Sequence, residues 1–189
     1  MATPRGYRMD ARAASTAATR ERILTSALAL STERMSIEIT LDDVAERAGV
    51  SVQTVLRHFG SRAGLLDATV AFGTEVIVAE REAPAGDVTA AVRIIVDHYE
   101  LRGDFVIRML AQEDDARIAG IVASGRAEHR DWVRRVFARP DLDDLLVAAT
   151  DVYVWKLLRR DGGLDRATTQ ARMLRLVRAV LADHTEEEP

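Results

Sequence analysis

Residues 40–68 read TLDDVAERAGVSVQTVLRHFGSRAGLLDA, and this stretch carries the strongest local signals in the chain. Thr40 and the acidic residues that follow it predict a helix start, because a threonine oxygen accepts a backbone N–H and carboxylates favour the positive end of the helix dipole. Gly49 predicts the end of this helix, and Ser51 predicts the start of the next. Two short helices joined by a three-residue turn form a helix-turn-helix.

The second helix, predicted over residues 52–59, has one apolar side and one mixed side. Val55 and Phe59 are four residues apart, so they share a face that packs against the first helix. The other side presents polar and small apolar side chains to solvent or to DNA. Its members are Val52, Gln53, Thr54, Leu56, Arg57 and His58.

A helix of this kind fits the major groove of DNA, where its N-terminal residues reach the edges of the bases. Gln53 can bond adenine through two hydrogen bonds, and Arg57 can bond guanine or a phosphate. Val52 can contact the methyl group of thymine. The residue types therefore favour sequence-specific binding of double-stranded DNA.

The same run resembles the DNA-binding domain of the TetR family of transcriptional regulators. The resemblance rests on AERAGVS, on T-x-x-x-HF and on a small polar residue followed by a base, and it extends upstream through TRERILTSALAL at residues 19–30. The stretch from Val154 to Leu181 resembles the last two helices of the family more loosely. The resemblance implies that Thr54, His58 and Arg62 contact phosphates and that the helix after residue 61 couples two domains. The complete predicted DNA-binding set is Thr40, Ser51, Val52, Gln53, Thr54, Leu56, Arg57, His58 and Arg62.

Four positions depart from the family pattern. Leu56 stands where many members have a tyrosine that contacts phosphate, so one polar contact is missing or is replaced by an apolar one. Arg62 replaces a lysine and keeps the charge. Met35 and Ser36 stand where glycine and an aromatic residue are typical, which predicts a connection of a different shape over residues 31–40.

Helical periodicity dominates the rest of the chain, and no segment alternates with a period of two. We expect an all-α fold of about nine helices, with an N-terminal three-helix DNA-binding domain followed by a helical bundle. The expected divisions are a flexible arm over residues 1–15, a helix-turn-helix domain over 16–63 and a ligand-binding and dimerisation domain over 64–189. Within that last domain, a linker is expected at 82–87 and helices at 88–101, 104–123, 127–138, 142–160 and 165–183.

Charge is distributed unevenly in this chain of 189 residues, whose net charge is −4. Residues 1–62 carry nine basic and seven acidic side chains, so a mildly basic end is joined to an acidic body. The arginines among residues 1–15 suit either a flexible tail or an arm that reaches DNA. There is no cysteine, no secretory signal and no apolar run of membrane-spanning length, so we expect a cytoplasmic protein without membrane contact.

The bundle is expected to serve two purposes that the family resemblance implies. A homodimer would form through the last helices, and a small-molecule effector of unknown identity would bind inside residues 88–160. The ligand-binding predictions, each of which could equally be a core or surface residue, are His98, Tyr99, Phe105, Met109, Trp132 and Tyr153. The predicted dimer interface consists of Leu145, Ala149, Val152, Trp155, Met173, Leu176 and Val180.

Two other functions compete with a regulator. The cluster Asp97-His98-x-Glu100 could suggest an enzyme, but neighbours on a helix point in different directions, and no catalytic motif accompanies them. We therefore expect no enzyme activity, no metal and no cofactor. A helical partner-binding protein that has lost operator binding is the alternative. The preferred interpretation is a ligand-responsive regulator, with repression as the simplest mode, that binds a palindromic operator as a homodimer.

Overall fold

The computed structural model describes residues 5–33 and 39–183, and most of these residues are helical. No strand occurs in these ranges, so the predicted all-α fold is confirmed. A 3-10 turn at Pro140–Leu142 precedes the seventh helix, and a π-helical turn at Leu157–Asp161 extends the eighth. The helices are α1 (Arg5–Glu33), α2 (Leu41–Ala48), α3 (Val52–Phe59), α4 (Arg62–Glu80), α5 (Val88–Leu110), α6 (Ala116–Phe137), α7 (Asp143–Ala149), α8 (Val152–Lys156) and α9 (Arg166–Asp183).

The chain forms two compact units, and the boundary between them along the sequence lies between Glu75 and Val76. The sequence placed the boundary at residues 63/64, which lies in the first turn of α4. The difference arises because the first part of α4 packs on the N-terminal core: Leu65 is buried there, and Ala68 and Phe72 pack against the same cluster. The predicted linker at 82–87 is a loop with a turn, and it lies inside the second unit.

The first unit has a small apolar core that α1, α2, α3 and the start of α4 share. The apolar stripe predicted on α1 is buried there, and Arg22 of α1 donates from Nε to the carbonyl oxygen of Ala48 at 3.0 Å. This bond satisfies a carbonyl at the C-terminal end of α2, where the helix itself offers no partner. The buried members of the core are Ile23, Leu24, Ala27, Leu30, Ile39, Val44, Ala45, Ala48, Val55 and Leu65.

The N-terminal arm differs from its prediction. Residues 5–15 continue α1 as helix, so the expectation of a flexible arm over 1–15 is wrong for that part. Several alanines favour this extension, because alanine has the highest helix propensity. Residues 1–4 of the arm, and the departures at Met35 and Ser36, lie outside the described residues.

The second unit is a bundle in which α5 packs against α6, α8 and α9, while α7 packs against α6 and α9. Breaks predicted at Gly103 and Gly125 do not occur, since α5 and α6 run through them. At Gly103 the missing side chain makes room for an aromatic ring, because a Cβ there would lie 2.5 Å from a ring carbon of Trp155. The helix predicted over 142–160 is instead divided at Asp151, whose carboxylate caps α8 through the backbone N–H of Tyr153 at 2.8 Å.

None of the helices in the described ranges is both long enough and apolar enough to cross a membrane.

Candidate nucleic-acid interface and core polar network

Hydrogen bonds between near neighbours in sequence fix the helix-turn-helix. Thr40 and Asp43 form a reciprocal capping box: the Thr40 hydroxyl oxygen accepts from the Asp43 backbone N–H at 3.1 Å, and the Asp43 carboxylate accepts from the Thr40 backbone N–H at 2.8 Å. Gly49 ends α2 with a φ of 64°, a left-handed conformation that favours glycine. Ser51 then accepts from the backbone N–H of Thr54 and starts α3. The predicted bounds of α3, Val52 to Phe59, are confirmed.

The free side of α3 is narrower than the sequence suggested. Val55 is fully buried, and Val52 and Phe59 are half-buried against the same core. Gln53 and Arg57 are exposed and four residues apart, so they project from one face. The Arg57 side chain forms no hydrogen bond or ion pair with the described part of the chain. These two side chains are therefore free to meet the edges of bases.

Half-buried groups flank that exposed row. They are Thr54, Leu56 and His58. The hydroxyls of Ser51 and Thr54 lie 3.0 Å apart and share one hydrogen bond, so the second hydroxyl hydrogen stays available for a phosphate oxygen. Thr40, by contrast, donates its hydroxyl hydrogen to the Asp43 carboxylate at 2.6 Å. That hydrogen is therefore used in capping α2 and not offered to a phosphate.

Arg62, the predicted phosphate contact at the start of α4, also has a structural role. Its Nε donates to the carbonyl oxygen of Ile39 at 2.9 Å, which ties α4 to the residue before α2. Ser61 caps α4 by accepting from the backbone N–H of Gly64 at 3.0 Å. Any loss of DNA binding on removal of Arg62 thus combines a lost charge with a lost tether.

The predicted ligand residues are divided between the bundle core and its surface. His98, Tyr99 and Trp132 are buried, Phe105 and Met109 are half-buried, and Tyr153 is 52% exposed. The Tyr99 hydroxyl donates to the carbonyl oxygen of Thr150 at 3.0 Å, and burial raises the pKa of that hydroxyl. Exposure removes Tyr153 from any internal site.

Four of the seven predicted interface residues are unavailable to a partner chain. Ala149, Val152, Trp155 and Met173 belong to the core of their own bundle, so their assignment to the dimer interface is wrong. Helical periodicity could not separate these residues from an interface, because both environments are apolar. The remaining members are Leu145 and Leu176, which are exposed, and Val180, which is half-buried.

The acidic and histidine cluster of α5 has its side chains directed to different partners. Asp97 bonds Arg166 and Arg93, whereas His98 lies 3.3 Å from a carboxylate oxygen of Glu80. Glu100 accepts from the indole N–H of Trp155 at 2.9 Å. No group of three acidic or histidine side chains within the described ranges is placed to hold a metal ion.

Sequence reasoning missed a buried polar network at the end of α4. Glu80 accepts from Nε and Nη2 of Arg102 at 2.7 and 2.5 Å. Burial alone would raise the pKa of Glu80, but the bonds from Arg102 and His98 outweigh it and lower the pKa to about 2.

The next residue, Arg81, is 6% exposed and bonds the imidazole of His129 on α6. The Trp132 indole N–H donates to the carbonyl oxygen of Arg81 at 2.7 Å, and the Trp132 and His129 rings stack. The sequence separations are 48 and 51 residues, so no local pattern could have revealed these bonds.

The described residues thus combine a capped helix-turn-helix in the first unit with a helical bundle in the second. Residues 23–69 match the family model described as bacterial regulatory proteins, tetR family. The match spans α2 and α3 together with the end of α1 and the start of α4.

The fold of nearly the whole chain is similar to a solved structure. A tetR-family transcriptional regulator from Streptomyces coelicolor superposes with a TM-score of 0.60 and 21% sequence identity, over 90% of this chain and 91% of the other. No curated protein matches the sequence.

Proposed function

We propose that this protein is a transcriptional repressor that binds a palindromic operator as a homodimer and is released by a small molecule. The exposed row of Gln53 and Arg57 on α3 is the observation that carries this proposal. Both side chains have the hydrogen-bonding groups that discriminate bases in the major groove. Repression follows from occupancy of the operator, and a cytoplasmic location follows from the DNA partner.

Around the base-reading row, the proposed backbone contacts come from both ends of α3. Ser51 and Thr54 retain one hydroxyl hydrogen between them for a phosphate, and His58 lies one turn beyond Thr54. Arg62 offers a positive charge at the start of α4. Thr40 contributes by holding α2 rather than by a free hydroxyl, and Val52 and Leu56 supply the apolar edge of the surface.

The proposed dimer uses exposed apolar side chains of the last helices. Leu145, Tyr153, Leu157 and Leu176 are between 45% and 63% exposed, so their side chains are accessible to a partner chain. A twofold dimer presents its two recognition helices about 34–36 Å apart, one turn of DNA. The proposal therefore predicts half-sites separated by one turn.

The proposed effector site lies in the bundle core. The buried polar groups of His98 and Tyr99 would orient the effector. The buried Trp132 and the half-buried Phe105 and Met109 would contact its apolar part. Sites of this kind typically combine an apolar lining with a few polar groups. Binding of the effector would cause the protein to dissociate from the operator if the effector prefers the conformation that does not fit the DNA.

Selection of bound sequences from random duplex DNA tests the proposal directly. The selected sequence is then titrated at two salt concentrations, with the wild type and with the Gln53→Ala/Arg57→Ala variant. We expect a palindrome, a steep fall of affinity as salt rises, and loss of sequence preference in the variant. Failure to enrich any sequence would contradict operator binding and favour the partner-binding alternative.

A further inference from the structure

Arg81 contacts a histidine through its guanidinium, unlike the carboxylate-paired arginines of the described residues. Its side chain is enclosed by the bundle, with the guanidinium carbon 5.1 Å from the centre of the Trp132 ring. Its Nη2 is bonded to Nδ1 of His129, and its buried Nε has no hydrogen-bond partner among the described residues. An unpartnered buried donor costs free energy, so its retention calls for an explanation.

Three other arginines of the bundle bind carboxylates through this edge of the guanidinium. Arg102 places Nε and Nη2 on the two oxygens of Glu80, Arg160 does the same with Asp104 at 2.9 and 3.0 Å, and Arg139 does so with Asp141. The Nε–Nη2 edge matches the two oxygens of a carboxylate. Within the described ranges, Arg81 presents this edge to one neutral nitrogen and to no carboxylate.

His129 supplies no negative charge to balance Arg81. Burial lowers the pKa of His129 to about 3, so the ring is neutral near pH 7 and Nδ1 accepts from Arg81. The other nitrogen, Nε2, then carries the hydrogen and lies 3.2 Å from the Thr150 hydroxyl oxygen.

The charged groups around Arg81 do not compensate it either. Glu128 is the carboxylate whose field reaches Arg81, but it already pairs with Arg135 at 2.9 Å. Tyr99 stays protonated, because burial raises its pKa. A buried charge without a counter-charge is costly, which indicates a function other than stability.

We propose that Arg81 is the receptor for an anionic effector, a small organic carboxylate with an apolar body. The carboxylate takes the Nε–Nη2 edge and replaces His129 as the acceptor. Trp132 and Tyr99, which border Arg81 in the apolar core, meet the rest of the ligand. The inference rests on the ligand response in the proposed function and adds the chemical class of the ligand.

The position of Arg81 gives this binding a regulatory consequence. Arg81 directly follows α4, the helix that begins at Arg62 beside the helix-turn-helix. The bond from Arg81 to His129 ties the end of α4 to α6. A carboxylate that takes this donor edge breaks that tie while the Trp132 bond to the Arg81 backbone remains.

The test uses the full chain without DNA and a panel of straight-chain carboxylates of two to ten carbons, with primary alcohols of equal length as controls. Thermal unfolding and tryptophan fluorescence are followed for the wild type, Arg81→Met and Arg102→Met. We expect the preferred carboxylate, at 100 times its dissociation constant, to raise the melting temperature of the wild type by about 5–10 °C. The matched alcohol should leave it unchanged.

The two variants separate a binding role from a structural one. Without ligand, Arg81→Met should melt at or above the wild-type temperature, because it removes an unbalanced buried charge, and it should not respond to carboxylates. Arg102→Met should melt lower, since Glu80 loses its partner, and should still respond. A wild type that ignores every carboxylate, an Arg81→Met variant that responds equally, or one that melts as low as Arg102→Met would each overturn the proposal.

Operator binding is measured separately on the same preparations. Carboxylate binding in a protein that selects no DNA sequence would support the anion site and contradict the proposed function. Operator binding in a protein that binds no carboxylate would support the proposed function and overturn the anion site.

Discussion

The helix-turn-helix unit and the bundle are both helical, but different interactions define their functional groups. In the first unit, the capping residues Thr40 and Ser51 bond partners three positions away. In the bundle, Arg81 bonds His129 across 48 residues and Trp155 bonds Glu100 across 55. The surface that we propose reads DNA is thus specified by local sequence, whereas the chemistry of the core depends on which helices pack together.

The largest effect that we expect concerns pH and the bundle. The pKa of His129 is about 3 in the folded chain, below its usual value near 6.5, so the unfolded state takes up a proton first as pH falls. Stability from this group is complete above about pH 6.5 and decreases by about 1.4 kcal/mol per pH unit as pH falls towards 3.

Urea unfolding between pH 7 and 4 measures this slope. His129→Gln should flatten it, and His58→Gln, at a half-buried position of the first unit, should not. Equal slopes in the wild type and His129→Gln would show that the buried imidazole is not the acid-sensitive group.

Two glycines in the middle of bundle helices offer the next test. Gly103→Ala should destabilise the chain by about 1–3 kcal/mol, because the new methyl group overlaps the Trp155 ring. Gly125→Ala meets open space and should stabilise by up to about 1 kcal/mol. Thermal unfolding compares the two, and a stabilised Gly103→Ala variant would contradict the described contact of α5 with α8.

Substitutions on the proposed recognition surface should change affinity for DNA more than the stability of the fold. Arg57→Ala should lower affinity for the selected operator by about 1–3 kcal/mol and relax base preference at one position. Arg62→Ala should weaken binding to operator and random DNA alike. Because Arg62 also donates to Ile39, its melting temperature is measured beside its affinity. Equal losses on operator and random DNA for Arg57→Ala would refute its role in reading bases.

The smallest expected effect tests the local specification of the first unit. Thr40→Ala removes the hydroxyl oxygen that accepts from the Asp43 backbone N–H and should cost about 0.5–2 kcal/mol, although the backbone N–H of residue 40 can still donate to the Asp43 carboxylate. Thr40→Ser keeps the hydroxyl and should be close to the wild type. Circular dichroism during urea unfolding measures both variants. A loss in Thr40→Ser as large as in Thr40→Ala would show that the hydroxyl does not carry the effect.

Local signals predicted α3 residue by residue, but they did not predict how far its neighbours were buried. The sequence placed Val52 with Gln53 and Arg57 on the DNA side, whereas Val52 packs partly on the core. Among the predicted interface residues, Trp155 and Met173 have the spacing of an interface yet are completely buried in their own chain. Apolar periodicity shows that a helix face is covered, but it does not show whether the chain's own core or a partner chain covers it.

The sequence by itself determined the all-α class, the helix-turn-helix and its caps, because these depend on bonds between residues three or four positions apart. It also predicted that Gly49 ends α2. Only the tertiary structure decided that Gly103 admits Trp155, and that a buried guanidinium at Arg81 faces a neutral histidine. Those contacts join helices far apart in the chain, and their energies depend on distances that no local pattern contains.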